Sequence, residues 1–308
     1  MKPANQQEFW SRVFTFIPTP TREDGERIDE DALRRVLDHQ IDNGVNGVCV
    51  FGSTGGNGSF TEEEMLRTTA IAARHVAGRI PIIAGTGTRT TSSCIRLSKN
   101  AEDSGCGGVM ILPMSYWPLT TDEVLTHYER VAGSIKIPIC VYNNPWTTGV
   151  DMKPEFIAKL ARLDNVSCVK ESTGDLARIS AIRRLLGDSI SIIAGWESTS
   201  LQAFVAGATG WAPVATNFLP EQAMAFFRAA VYEKDFKSAQ RMWQGLFPIC
   251  DFICQKSHIR VAHTGVDVLG RPAGPPRAPL RMLNSEDRAR LEALLREAGA
   301  KTIGRIAA

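Results

Sequence analysis

The sequence predicts an α/β protein, a (β/α)8 TIM barrel followed by a helical carboxyl-terminal extension. Three observations carry this. Eight short apolar runs rich in Val, Ile and Cys recur at intervals of about 28 residues. None of them alternates polar with apolar, as expected of parallel strands buried on both faces. The first run leads into Phe16-Ile-Pro-Thr-Pro20, which lacks the Gly-rich phosphate loop that a doubly wound open sheet would show at this point.

In chain order the predicted strands are Val13–Pro18, Gly47–Phe51, Pro81–Gly85, Gly108–Leu112, Pro138–Tyr142, Val166–Lys170, Ser191–Gly195 and Gly210–Val214. Amphipathic segments separate them. Asp31 to Asn43 carries Leu33, Val36, Leu37 and Ile41 on one face, and Thr61-Glu-Glu-Glu64 reads as a capping box. After residue 232 the strand signals stop. Phe236–Cys254 and Ser285–Ala298 read as helices, and Gly265–Pro279 as a Gly/Pro-rich crossing between them. The expected division is a catalytic barrel over 1–232 and a helical region over 233–308 that packs on the barrel or against another subunit.

Composition narrows the function. The 308 residues include 35 basic and 33 acidic side chains, a formal net charge of +2, which gives no excess to steer a polyanion; nucleic acid is not an expected partner. Runs such as Val109-Met-Ile-Leu112 are strand-sized, so no membrane span is expected, and the first ten residues lack the apolar core of a secretory signal. The seven cysteines are scattered with no CxxC pair, and Cys49, Cys140 and Cys168 sit within strand runs as small buried hydrophobes. A cytoplasmic location is the expectation. The five histidines show no metal-ligand spacing, so no metal is expected.

A barrel builds its active site at the carboxyl ends of its strands. Strand six ends Val166-Ser-Cys-Val-Lys-Glu-Ser-Thr-Gly174, which puts the amine of Lys170 at the mouth among apolar neighbours. Desolvation disfavours the ammonium form, and a neutral amine can attack a carbonyl; a lysine snorkelling from a strand end is the plainer alternative. Tyr142 ends strand five, one strand over and roughly 5 Å away, within reach of the same substrate atom. Pro145 and Gly149 pin the turn after it. Strand two ends in Gly52-Ser-Thr-Gly-Gly-Asn-Gly58, a loop whose amides can converge on a carboxylate or phosphate. Ala84-Gly-Thr-Gly87 leaves room for a ligand or for neighbouring loops.

Together, Gly52-Ser-Thr-Gly55, Tyr142-Asn-Asn-Pro145 with Thr148-Gly149, Val169-Lys-Glu-Ser-Thr-Gly174 and Gly207-Ala-Thr-Gly210 resemble the dihydrodipicolinate synthase / N-acetylneuraminate lyase family from about residue 10 to 298. The resemblance implies a pyruvate-dependent class I aldolase or lyase, a homotetramer or homodimer, acting without a metal or other cofactor on a 2-keto acid and an aldehyde. It implies that Lys170 forms the Schiff base and that Tyr142 transfers protons. Ser53 and Thr54 would hold the keto-acid carboxylate, and Ala212 would offer main-chain contact.

The departures from the family pattern concern the second substrate. The synthases carry an arginine at the position of Thr147, two residues after the turn proline, and a relay tyrosine at the position of Ser115. Here Tyr116 stands one residue late, and Gly56 replaces a frequent glutamate. Losing a bidentate carboxylate clamp is not a conservative change. Strand seven ends Ile193-Ala-Gly-Trp-Glu197, so Gly195 and Glu197 fall where the sugar-acid lyases of the family bind substrate; Glu197 would accept hydrogen bonds from hydroxyls, unless it is only a solvated helix-start glutamate. Trp117, Trp146, Trp196 and Trp211 all lie near strand ends and suggest a roomier, more apolar acceptor pocket. The acceptor therefore stays open between a sugar acid and another aldehyde, including an aromatic one. A synthase acting on aspartate semialdehyde, a 2-keto-3-deoxy sugar acid dehydratase and a non-catalytic keto-acid binder are the alternatives.

Overall fold

The computed structural model describes residues 4–301; positions 1–3 and 302–308, the outer ends of the two expected regions, lie outside the described residues. Eight parallel strands follow one another in a single sheet: β1 (Thr15–Phe16), β2 (Val48–Val50), β3 (Ile82–Gly85), β4 (Gly108–Ile111), β5 (Ile139–Asn143), β6 (Val166–Glu171), β7 (Ser191–Ala194) and β8 (Gly210–Trp211). Each falls within or against its predicted run. The sheet closes on itself, because Phe14 N donates to Trp211 O (2.9 Å) and Trp211 N to Arg12 O (3.0 Å) in a parallel bridge between Val13 and Trp211. The TIM barrel expected from the spacing is the fold.

Side-chain alternation splits each strand between two cores. Val141 and Val169 point outward into the layer shared with the helices. Cys140, Tyr142, Cys168, Phe16, Ile193 and Ala212 belong to the separate barrel interior. There Cys49, Cys140 and Cys168 are fully buried, and burial pushes the Cys49 and Cys168 thiols far up, as small inert hydrophobes.

The floor of the barrel is closed by a helix that the sequence reading did not contain, Ala4–Trp10. Trp10 is fully buried and its indole donates to Ser167 Oγ (3.0 Å). Glycines admit these rings: a Cβ on Gly107 would lie 2.6 Å from Phe9, and one on Gly108 2.9 Å from Trp10.

Between the strands the predicted helix signals hold. Glu30–Asp42 starts on an Asp29 cap, and Glu62–Val76 starts on the Thr61/Glu64 capping box. Beyond the barrel, Phe236–Lys256 and Ser285–Glu297 occupy the two predicted helical stretches. The expected crossing over Gly265–Pro279 needs correction, since a helix runs from His258 to Val268 and takes in its first four residues. Gly265 reads as a breaker, yet it sits in that helix because a Cβ there would meet the Phe218 ring at 2.4 Å. Tertiary packing overrides propensity at this position. Among the described residues, no helix is long and apolar enough to cross a membrane.

Candidate active site

Lys170 lies one residue before the end of β6 and Tyr142 one residue before the end of β5, and the two are register partners. Because Cys140, Tyr142, Cys168 and Lys170 share the inward phase of their strands, phenol and amine stand on the same apolar plug. Lys170 is 5% exposed, with its Nζ 4.0 Å from the centroid of the Phe16 ring and 4.2 Å from that of Tyr142. Its amine is thus held between two aromatic faces, which attract a cation. Phe16, two residues beyond the inward-facing Phe14, was not singled out from the sequence; the same period of two identifies it.

The Tyr142 hydroxyl accepts a hydrogen bond from Asn144 Nδ2 (2.9 Å) and one from Ser53 Oγ (3.4 Å). Burial pushes the phenol up, but the Lys170 charge and the hydrogen bonds from Ser53 and Asn144 more than offset it, leaving the group below its ordinary value. Asn144 is the residue that sequence reasoning missed here. It lies two positions after Tyr142, on the same side of the chain.

Ser53 and the buried Thr54 occupy a loop set by a local constraint. Phe51 adopts φ +52°, a left-handed conformation rare for a bulky residue, and a Cβ on Gly85 would meet its carbonyl oxygen at 2.0 Å. The room left by the Ala84-Gly-Thr-Gly87 stretch is therefore filled by a neighbouring loop at Gly85. Within the loop Gly56 N donates to Ser53 O (3.0 Å), and from the segment after β1 Thr19 Oγ1 donates to Gly55 O (2.7 Å); the Ser53 and Thr54 amides take part in neither bond.

Gly195, just past β7, abuts the lysine. A Cβ there would lie 2.0 Å from Ser172 Oγ and 2.9 Å from Lys170 Cγ. Ala212, beyond β8, belongs to the same interior cluster as Tyr142 and Phe16. Ser53, Tyr142, Lys170, Gly195 and Ala212 are thus brought together.

Four others sit differently. Glu197 is neither solvated nor free: it is 3% exposed, and its two oxygens accept from Val214 N (3.0 Å) and Ala215 N (2.8 Å). Burial raises its carboxyl to about 7, against the pull of those amides and of Lys170. A residue read as a hydroxyl acceptor instead binds the β7 loop to the β8 loop. Thr147 is exposed and donates to Asn144 O (3.2 Å) within the short Pro145–Thr148 turn. Ser115 accepts from Trp117 N (3.1 Å), and Tyr116 is 84% exposed, so neither forms a hydrogen bond with Tyr142. Of the tryptophans expected to line a pocket, Trp211 is fully buried outside the barrel interior, its indole donating to Ser200 Oγ (2.8 Å).

A second buried polar unit lies on the outward phase of the same strands. Asn143 donates to Glu171 Oε2 (2.9 Å) and accepts from Met152 N (3.0 Å), while Glu171 Oε1 accepts from Thr173 N (2.8 Å). It clamps the loops after β5 and β6 together around the lysine.

Known proteins resemble this chain in sequence and fold. The sequence profile of the Dihydrodipicolinate synthetase family matches residues 9–298. A relative named 4-hydroxy-tetrahydrodipicolinate synthase, from Pelobacter propionicus, is 33% identical over 283 residues, covering 92% of this chain and 97% of its own. The crystal structure of dihydrodipicolinate synthase from Aquifex aeolicus superposes with a TM-score of 0.88 at 30% identity, covering 94% of this chain and 97% of that one. That of the Acinetobacter baumannii enzyme, described as complexed with pyruvate, gives 0.89 at 27% identity, covering 94% and 99%. With the profile spanning nearly the whole chain and the barrel shared, this protein belongs to the dihydrodipicolinate synthetase family of pyruvate-dependent class I aldolases and lyases.

Proposed function

We propose that the chain makes or cleaves a carbon–carbon bond through a Schiff base between Lys170 and pyruvate or a related 2-keto acid. The observation that carries this reading is the Lys170 amine, held between the Phe16 and Tyr142 rings at the mouth of the barrel. The amine adds to the ketone carbon and the carbinolamine loses water, which leaves an iminium. The iminium draws electrons from the adjacent methyl carbon, which gives up a proton to become an enamine nucleophile. Tyr142 moves the protons of these steps, its hydroxyl poised by Asn144 and Ser53. The Ser53 and Thr54 amides receive the keto-acid carboxylate, with Ala212 and Gly195 offering main-chain surface beside it.

The acceptor is an aldehyde. Relatives named 4-hydroxy-tetrahydrodipicolinate synthase favour aspartate semialdehyde as a second reading, but Thr147 offers no cation for its carboxylate. We assign the catalytic unit to 1–232 and the packed helical region to 233–308. Seven free thiols, six of them buried, support a cytoplasmic setting, and the assembly is a homotetramer or homodimer.

The test is to incubate the protein with pyruvate, reduce with borohydride and map the mass adduct. An adduct on Lys170, absent in Lys170→Ala, is the expected result. No adduct with any 2-keto acid removes the proposal.

A further inference from the structure

Three segments leave the carboxyl ends of the Lys170 strand and its two neighbours: 143–153 from the last residue of β5, 171–178 from the last residue of β6, and 195–200 after β7. They hold six charged side chains, and every one is engaged within the protein. Arg178 grips Asp151 through both nitrogens (2.6 and 2.8 Å), and Lys153 pairs with the same carboxylate. Asp175 caps the helix that follows by accepting from Ala177 N (3.0 Å). Glu171 and Glu197 are buried, with both oxygens of each hydrogen-bonded. No free cation remains in these loops to receive a charged acceptor, and no free carboxylate to receive a polyol chain.

What the loops do present is indole. Trp146, 72% exposed, is anchored by its ring N–H to Thr173 O (3.3 Å), three residues past the lysine. Trp196 lies against Gly174, where a Cβ would come within 3.5 Å of the ring. The two indoles lean on each other at 6.3 Å between centroids and 47° between planes. An aromatic left this exposed on a catalytic loop, fixed by its polar edge, offers its face to a planar apolar ligand.

We infer that the acceptor side of the site takes an uncharged aromatic aldehyde, held by Trp146 and Trp196. The inference rests on the Schiff-base reading and specifies its second substrate. The enamine carbon of bound pyruvate forms a bond to the aldehyde carbon while the carbonyl π pair moves to oxygen, which takes a proton. Water then hydrolyses the iminium, releasing a 4-aryl-4-hydroxy-2-oxo acid and freeing the lysine. In reverse, the same steps yield pyruvate and the aryl aldehyde.

The test is a panel of benzaldehyde, glyceraldehyde and aspartate semialdehyde with the intact protein and pyruvate, read by product mass, beside borohydride trapping without aldehyde. The expected result is a benzaldehyde kcat/KM roughly tenfold or more above the others, with Trp146→Ala and Trp196→Ala each raising the benzaldehyde KM by about fivefold. Trp146→Phe recovers most of the loss, and in all three variants trapping still labels Lys170. Preference for glyceraldehyde or aspartate semialdehyde, or an unchanged benzaldehyde KM in both alanine variants, overturns the inference while trapping leaves the Schiff-base reading standing. Absence of trapping in the wild type removes both.

Discussion

Tyr142 and Lys170 pair across the β5–β6 register, with the lysine Nζ 4.2 Å from the phenol ring centroid. On the proposed reading, a proton donor and a nucleophile so placed act on one substrate atom. Tyr142→Phe keeps the ring beside the amine and removes only the hydroxyl. Imine formation in that variant is expected to slow by about 10² to 10⁴, the range of a positioned acid–base group. Rapid-mix trapping with pyruvate and borohydride measures it, and an undiminished rate would assign proton transfer elsewhere.

Asn144 donates to the phenol oxygen at 2.9 Å and so stabilises the deprotonated form more than the protonated one. The wild-type phenol, already lowered, should lose its proton below pH 10, and the alkaline limb of the rate profile should appear there. In Asn144→Ala that limb moves to higher pH. Tyrosinate absorbance at 295 nm, titrated alongside the rate, tests the assignment; a limb that stays in place excludes Asn144 as the group that sets it.

Gly195 is a steric requirement of the site. In Gly195→Ala the added methyl meets Ser172 Oγ and the Lys170 side chain inside van der Waals contact, so about 1 to 3 kcal/mol of stability should be lost and pyruvate trapping should fall with it. Gly245, inside the Phe236–Lys256 helix with nothing within 4 Å of a new Cβ, is the control. Gly245→Ala should raise stability by roughly 0.5 to 1 kcal/mol without touching turnover. Urea unfolding of the two variants gives both signs in one experiment.

Glu197 and Asp151 give stability opposite dependences on pH. Burial raises the Glu197 carboxyl to about 7 from 4.5, so between those values the folded protein holds a proton that the unfolded chain has released. Stability from this group is complete below about pH 4.5 and falls as pH rises through 7, by on the order of 3 kcal/mol. The Arg178 hydrogen bonds lower Asp151 to about 2 from 3.8, a contribution present above pH 3.8 and lost as pH falls towards 2. As pH rises from 5 to 8 the wild-type melting temperature should fall relative to that of Glu197→Gln, because His39, His258 and His263, each lowered by burial to about 4, add the same opposite slope to both proteins. Parallel profiles in the two proteins would place the titrating group elsewhere.

Regular features of this molecule were readable from the chain. The eight apolar runs, the capping box at Thr61 and the lysine and tyrosine closing two of the runs each depend on short-range periodicity, which sequence displays directly. Glu197 misled because its neighbours in sequence, Trp196 and Ser198, look like a helix start, whereas its burial comes from Val214 and Ala215, seventeen and eighteen residues away. Tyr116, read as a displaced relay, stands exposed on the loop after β4, a placement that strand spacing cannot specify. The floor helix escaped notice because Phe9 and Trp10 are a short apolar pair whose partners, Gly107, Gly108 and Ser167, lie on distant strands.

That floor also bears on the order of events in the proposed reaction. With Trp10 sealing one end of the barrel against Ser167, traffic to Lys170 is expected through a single doorway. On the proposed reading the keto acid, bonded to Lys170, would sit deeper than the aldehyde, and so would arrive first and depart last. An aldehyde that takes the doorway early shuts the keto acid out. Turnover should therefore fall at high aldehyde concentration and recover when pyruvate is added, a traffic rule written by an indole at the far end of the molecule.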